Sequence, residues 1–302
     1  VVIYHYCDGW PAFARYISMR QGRNIVRWHN NTPPWFYFFK NNKYAKRSIA
    51  GFDGIMSLAS SKYVEFWTNS NFTSKQLQVL GGGSRSSVIY PGSKFLLSTQ
   101  SVRKWKPIGN KLSITFVGRM VPHKGHRHIA AVAERLASII DKDIIVNFVG
   151  RRDSSLSEYN RFLDSLQCGK RLEFNTLGEV THDGLIEVLR DTSIFLLLSE
   201  HEGFGLPAFE AFSMGIPVVA WKTSAMIELL DSHPCAYDEF DIDLFASACI
   251  ALFDEGFSKE VISAQFEILK KYSIHNIGRQ LSESLVAGNN ELWPTNLPPP
   301  VK

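Results

Sequence analysis

Two hydrophobic patterns alternate along this chain and predict its secondary structure. Short apolar runs, such as Ile194–Leu198, have the composition of strands that are buried on both faces of a parallel sheet. Between these runs, apolar residues recur at spacings of three and four, which predicts helices. This regular alternation of strand and helix indicates an α/β protein with doubly wound parallel sheets.

The runs predict strands at residues 1–6, 24–29, 65–69, 87–90, 112–118, 144–150, 172–177, 194–198 and 217–221. The helical spacing predicts helices at residues 11–19, 44–63, 73–80, 125–140, 156–167, 182–190, 207–214, 242–254, 258–271 and 275–286. A polar, Lys-rich segment, 93–110, is the best linker candidate and divides the chain into a first domain (1–107) and a second domain (108–288). The polar, Pro-rich residues 289–302 are predicted to form a loosely ordered tail. Because the chain opens inside a strand-like run without Met, we expect the first domain to be incomplete.

Charge is distributed unevenly between these two parts. Of the 33 Lys and Arg residues, 15 precede Ile108, but only three of the 29 Asp and Glu residues do, which gives the first part +12 and the rest −8. A positive field of this kind could attract an anionic membrane, a lipid-diphosphate acceptor or nucleic acid. The alternative is a basic surface that is merely solvated. No nucleic-acid-binding motif accompanies it, so we do not expect a nucleic-acid partner.

The cysteines and the apolar runs limit the setting of the protein. The four cysteines lie far apart, a spacing that favours neither a disulfide framework nor a zinc site. Without a secretory signal or a run long enough to cross a bilayer, we expect a cytoplasmic protein, with peripheral contact to the cytoplasmic membrane face left open.

The loop after strand 194–198 carries two carboxylates, Glu202 and Glu210, around the start of a helix. A helix N-terminus beside glycines favours anions, because its free N–H groups and the macrodipole are both positive there. Acids at this place either complement the dipole or accept hydrogen bonds from sugar hydroxyls while the amides hold phosphate. The Glu202-x7-Glu210 spacing, filled by Gly-Phe-Gly, resembles the E-x7-E signature of retaining GT-B glycosyltransferases of family 4.

A second cluster follows the first strand of the second domain. Gly118-Arg119 and Lys124-Gly125 place two cations at the same sheet edge as Glu202, since parallel strands all end there. The pattern resembles G-R-x4-K-G of the same family, in which the Arg and Lys neutralise the donor diphosphate and the leaving nucleoside diphosphate. The resemblance gives these roles to Arg119 and Lys124.

The resemblance also implies roles for the remaining candidates. Glu210 would bind the ribose hydroxyls and Glu202 the sugar hydroxyls near the reacting carbon, as a nucleophile or as an orienting group. Glu228 matches the family's S-x-x-x-E element, although Ile227 stands where the family usually has Pro. Further donor contacts would come from backbone groups at Gly118, Gly203, Phe204, Gly205 and Leu206.

His29 is the candidate on the opposite wall of the expected cleft. The segment His29-Asn30-x-Thr32-Pro33-Pro34 resembles one in some family members, where the His faces the donor and donates to phosphate or to a sugar hydroxyl. A purely structural histidine is the alternative. The resemblance of this segment and of the Glu202 loop to family members slightly favours a mannose donor.

An aromatic run, Trp35–Phe39, is flanked by basic residues. It fits core packing against the sheet, an acceptor wall or a membrane-facing patch. The D-x-D sequences at Asp141 and Asp241 are interpreted as caps or surface acids, and the resemblance implies no catalytic metal and no other cofactor.

The resemblance implies the transfer of a hexosyl group, with retention of configuration, from a GDP- or UDP-sugar to an acceptor hydroxyl. The acceptor would be an oligosaccharide, a lipid-linked glycan or a glycolipid. Two alternatives stay open: a nucleotide-sugar epimerase or phosphorylase of the same fold, and a degenerate subunit or sugar-nucleotide-binding module without transfer activity.

Overall fold

A computed structural model describes residues 1–7, 10–82, 85–97, 108–166 and 168–291. Its strands form two sheets, and the strand pairs with an established register are all parallel. The first sheet has the order β1-β2-β3-β4 and the second the order β10-β9-β8-β5-β6-β7. The strands are β1 (Val2–Tyr6), β2 (Asn24–Trp28), β3 (Val64–Thr68), β4 (Ser86–Val88), β5 (Lys111–Val117), β6 (Asp143–Val149), β7 (Leu172–Gly178), β8 (Ile194–Leu197), β9 (Val218–Trp221) and β10 (Ala236–Tyr237).

Helices connect these strands, as the alternating pattern predicts. They are α1 (Pro11–Met19), α2 (Asn42–Ala59), α3 (Asn71–Val79), α4 (Lys94–Leu97), α5 (His126–Ile139), α6 (Ser157–Asp164), α7 (His182–Asp191), α8 (Leu206–Ser213), α9 (Met226–Leu229), α10 (Ile242–Ala251), α11 (Glu255–Lys271) and α12 (Ile274–Glu291). Short 3-10 turns form at Pro34–Phe36 and Pro122–Lys124.

Local sequence explains where several helices begin. Side chains of Asn41, Ser70, Thr181, Asp241 and Asp254 accept the backbone N–H three residues on and so cap α2, α3, α7, α10 and α11. The cap at Asp241 confirms its interpretation as a helix-capping acid.

The central strand β8 is buried along its whole length. Its apolar side chains belong to the large core of the second sheet, while the first sheet has its own core around Tyr6, Trp28 and Phe66. The division into two domains and its boundary stay predictions. Of the predicted linker 93–110, residues 94–97 form α4 and residues 98–107 lie outside the described residues.

Helix α12 returns to the first sheet. Arg23 donates to the carbonyl oxygens of Ser284 (2.6 Å) and Leu285 (2.5 Å), and Leu281 packs on the small cluster around Ile25 and Trp67. The helix runs to Glu291, three residues into the predicted tail, and residues 292–302 lie outside the described part of the chain. The last helix thus ties the two sheets together.

Candidate active site

A cavity of about 230 Å³ lies between the carboxyl ends of the two sheets. Both halves of the chain line it, as the ends of parallel strands in two facing sheets allow. It brings together eight of the residues predicted from the sequence: His29, Arg119, Lys124, Glu202, Gly203, Phe204, Gly205 and Leu206.

The segment after β9 forms hydrogen bonds with the loop between β8 and α8. The Thr223 hydroxyl donates to the Ser199 carbonyl at 2.7 Å. The Glu202 N–H donates to the Ser224 hydroxyl at 2.7 Å, and the Ala225 N–H donates to the Glu202 carbonyl at 3.3 Å. These bonds hold the backbone of Glu202 in position in the wall of the cavity.

The loop between β5 and α5 carries the two predicted cations. The Glu200 N–H donates to the His123 carbonyl at 2.8 Å, which joins this loop to the one that carries Glu202. Lys124 Nζ then lies 2.6 Å from Glu202 Oε1. The side chains are only 16% and 9% exposed, respectively, so their attraction is weakly screened by water.

His29 closes the cavity from the first sheet, just beyond the end of β2. Its Nε2 lies 2.8 Å from Nδ1 of His5, so one imidazole donates to the other. Burial, then the positive charge of Arg27 and the neighbouring His5, lower the pKa of His29 to about 4. At neutral pH its imidazole is therefore uncharged.

Asn30 joins the two walls of the cavity. Its backbone is left-handed (φ 70°), a conformation that Asn tolerates better than most residues. Its Nδ2 donates to Thr73 and Gln76 on α3, while its Oδ1 lies 3.3 Å from Nε2 of His201 on the other wall. Asn30 belongs to the motif that predicted His29, but no role was predicted for it, although a polar residue directly after a predicted parallel strand is a usable signal.

Two buried histidines of the site were also not predicted. Burial lowers the pKa of His201 to about 4, against the opposing effect of Glu202. Burial lowers the pKa of His123 well below its usual range, and the charges of Lys124 and Arg119 add to this effect. His123 Nδ1 has no hydrogen-bond partner within the described part of the chain. His123 directly precedes Lys124 and His201 directly precedes Glu202. These positions next to motif residues could have identified both histidines.

Three predicted residues do not line this cavity. Gly118 uses its N–H to donate to the Val149 carbonyl at 2.8 Å. Glu228 Oε1 accepts the Phe72 N–H at 3.2 Å, at the start of α3 in the first domain. Glu210 lies on α8, where burial raises the pKa of its carboxyl. Their roles toward a donor stay predictions.

Within the described ranges, no group of three or more His, Cys, Asp or Glu side chains is arranged to hold a metal ion. None of the helices in those ranges combines the length and the apolar character needed to cross a membrane.

Solved structures identify the class of fold. The chain matches the Anabaena protein HepE in complex with UDP with a TM-score of 0.65 and 16% identity, over 95% of this chain and 99% of that one. It matches sucrose-phosphate synthase from Thermosynechococcus elongatus with a TM-score of 0.69 and 16% identity, over 95% of this chain and 74% of that one. The fold is therefore the GT-B fold of glycosyltransferases, which confirms the predicted fold class.

Residues 98–263 match the family described as Glycosyl transferases group 1, and the chain belongs to this family. An uncharacterised glycosyltransferase of Methanocaldococcus jannaschii is 24% identical over 173 residues, 55% of this chain and 43% of that protein. The D-inositol 3-phosphate glycosyltransferase of Corynebacterium efficiens is 31% identical over 154 residues, 47% of this chain and 36% of that protein. These matches span less than half the length of the relatives.

Proposed function

We propose that this protein is a retaining, metal-independent glycosyltransferase of family 4 that moves a hexosyl group from a nucleotide diphosphate sugar to an acceptor hydroxyl. The observation that carries the proposal is the Lys124–Glu202 ion pair in a cavity that Arg119, the glycine loop and His29 complete. These residues come from distant parts of the sequence and meet at one place.

Arg119 and Lys124 would stabilise the leaving nucleoside diphosphate. Negative charge grows on the leaving group as the glycosidic bond breaks, so fixed cations lower the barrier more than they strengthen ground-state binding. The Lys124 ammonium has several N–H donors, so it can keep its contact with Glu202 while it donates to a phosphate oxygen.

Glu202 would accept hydrogen bonds from the hydroxyls of the transferred sugar and stabilise positive charge on its ring. Gly203, Phe204, Gly205 and Leu206 would offer backbone groups to the donor, Gly118 would allow its close approach, and Glu210 would bind the ribose. We assign Glu228 a donor role too, reached after a small movement away from α3. His29, uncharged at neutral pH, would donate to phosphate or to a sugar hydroxyl.

The relatives support a sugar-nucleotide donor but leave its identity open. HepE was solved with UDP and glucose, which favours a UDP-sugar. An O-antigen chain mannosyltransferase B of Escherichia coli is 28% identical over 89 residues, 30% of this chain and 23% of that protein. That match supports a mannose donor. The acceptor would be an oligosaccharide, a lipid-linked glycan or a glycolipid. The site of action would be the cytoplasm or the cytoplasmic face of a membrane.

The test is a binding and transfer assay with UDP, GDP and their sugars. We expect Lys124→Ala and Glu202→Ala to keep the fold, by circular dichroism, and to lose more than 90% of transfer, a barrier increase above about 1.4 kcal/mol. The matched control is Lys259→Ala, which removes an exposed ion pair of similar length on α11 and should leave transfer unchanged. Retention of more than about a tenth of the activity by either variant would contradict the assignment.

Product analysis separates the remaining alternatives. Conversion of the nucleotide sugar without an acceptor would indicate an epimerase, and a phosphate-dependent product would indicate a phosphorylase. Donor binding that depends on Lys124 without any turnover would indicate a sugar-nucleotide-binding module. Full transfer in the presence of a strong metal chelator is expected, and loss of transfer there would contradict metal independence.

A further inference from the structure

The aromatic loop, residues 35–39, divides its side chains between the protein interior and solvent. Phe36 packs against His123 at a centroid distance of 5.4 Å, and Tyr37 is buried and stacks on Tyr44 at 5.2 Å. The other three side chains point outward and are 62%, 42% and 99% exposed: Trp35, Phe38 and Phe39. Core packing therefore explains only part of the run.

The exposed tip of this loop is unusual in its backbone as well. Phe39 adopts a left-handed conformation (φ 62°), which is unfavourable for a bulky residue. Its side chain gains no burial from the rest of the protein that would offset this cost. Contiguous exposed apolar side chains on a protein surface typically mark a site that binds another protein, a membrane or a ligand.

The surface beside the aromatic loop is strongly basic. Helix α2 begins directly after it, and its first two turns expose Lys43, Lys46 and Arg47, with Lys40 just before them. The sequence contains no Asp or Glu from residue 10 to residue 52, and the next acid is Asp53, further along α2. In the structure one acid, Asp153, reaches this surface and accepts from the Tyr44 hydroxyl. The exposed cations beside the aromatic loop outnumber it: Lys40, Lys43, Lys46 and Arg47.

We propose that the aromatic loop and the first two turns of α2 dock on the surface of an anionic lipid bilayer. Trp is enriched at the headgroup level of membranes, and Phe is common on the apolar face of segments that lie in this layer. Lysines beside them are attracted to anionic lipids. A hydrated acidic protein surface would use the cations but would leave Phe38 and Phe39 without an apolar environment.

The docking surface borders a second cavity of about 270 Å³ that shares His29, Asn30, Thr32 and Arg119 with the candidate active site. The inward-facing Tyr37 and the α2 residues Tyr44 and Ser48 form its other walls, with Cys7 and Asn31. On the proposed function, docking would present an acceptor hydroxyl at the membrane surface to this cavity.

Vesicle sedimentation of the full chain tests the proposal without any need for transferase activity. Vesicles of phosphatidylcholine with about one third phosphatidylglycerol should bind the protein, pure phosphatidylcholine vesicles should bind it weakly, and added salt should weaken binding. Phe38→Ser with Phe39→Ser, and separately Lys43→Gln with Lys46→Gln, should each lower the partition coefficient at least tenfold, with about fivefold expected per lysine.

Matched controls lie on α3. Val79→Ser removes a side chain that is 87% exposed, and Lys75→Gln removes an exposed cation, and neither should change binding more than about twofold. The inactive Lys124→Ala variant should bind vesicles like the unaltered protein, so a failure of the proposed reaction would not affect this result. Absence of binding to anionic vesicles would overturn the proposal. So would a Phe38/Phe39 variant that binds vesicles normally but has a raised KM for a water-soluble acceptor, since the loop would then be an acceptor wall.

Discussion

The side chain of His29 shows how neighbouring residues set the chemistry of a single group. Burial and the charge of Arg27 disfavour its protonated form, and His5 forms a hydrogen bond with its Nε2. An uncharged imidazole can donate one hydrogen bond and accept another, so it can orient a hydroxyl without adding charge. The role proposed for His29 therefore depends on residues that do not line the donor cavity.

We expect NMR titration of the His29 ring protons to give a pKa near 4 rather than near the ordinary 6.5. Because folding lowers this pKa, the unfolded chain binds more protons between these two values. The contribution of His29 to stability is therefore complete above about pH 6.5 and is lost as the pH falls through the native pKa.

Arg27→Gln removes one of the stated causes and should raise the pKa of His29 toward 6.5, provided that the spectrum shows a folded protein. An unchanged titration in this variant would mean that burial and His5, rather than Arg27, lower the pKa of His29. A wild-type pKa near 6.5 would contradict the buried environment that the structure gives His29.

At the residue scale, the sequence predicted those site residues that belong to a recognisable spacing. Arg119, Lys124 and Glu202 come from two such motifs and lie together in the cavity. Asn30 lies in the motif of His29 but was given no role, and His5 belongs to no motif. The contacts of both residues depend on the folding of segments far apart in the chain. Pairing of this kind cannot be deduced from a local pattern.

Among the structural elements, the loop between β5 and α5 depends on one glycine. Gly125 has a φ of 73°, and an added Cβ would lie 1.9 Å from the Leu198 carbonyl oxygen, at the end of β8. This close approach helps to place Lys124 beside Glu202, because Lys124 directly precedes Gly125 and Glu202 lies four residues after Leu198.

Gly125→Ala should therefore lower the free energy of unfolding by at least about 2 kcal/mol, since it introduces both backbone strain and a contact with an immobile carbonyl. Urea unfolding measures the change. Gly169→Ala is the matched control, because a Cβ there meets nothing within 4 Å, and it should change stability far less. Equal stability of the two variants would show that the β5–α5 loop can shift away from β8.

The sequence predicted long, periodic elements well and short ones poorly. Its patterns placed the buried strands and their helices to within a few residues, because burial on both faces leaves a clear apolar run. β10 was missed, since two residues paired with β9 give no period to detect. The short helices α4 and α9 were missed for the same reason.

At the scale of the whole molecule, the two halves of the chain contact each other at several places in and around the cavity. Glu228 accepts from the start of α3, His201 contacts Asn30, and α12 returns to the first sheet. The sequence indicated two domains of opposite net charge, but it could not show these contacts, because each joins residues far apart in the chain. The distance between the two walls of the cavity is nevertheless expected to determine how well a donor binds.

Gly203 is the position where that distance can be changed by one methyl group. An added Cβ would lie 3.1 Å from both the Asn30 Cβ and the His29 carbonyl oxygen, so the two walls would have to separate by a few tenths of an ångström. Gly203 is not among the glycines with positive φ, so Ala adds little backbone strain there. We expect Gly203→Ala to lower transfer about tenfold, through a raised donor KM, while urea unfolding changes by less than about 1 kcal/mol. Gly278→Ala, on α12 with open space around it, should alter neither quantity. A Gly203→Ala variant with an unchanged donor KM would show that the contact between the walls does not determine donor binding.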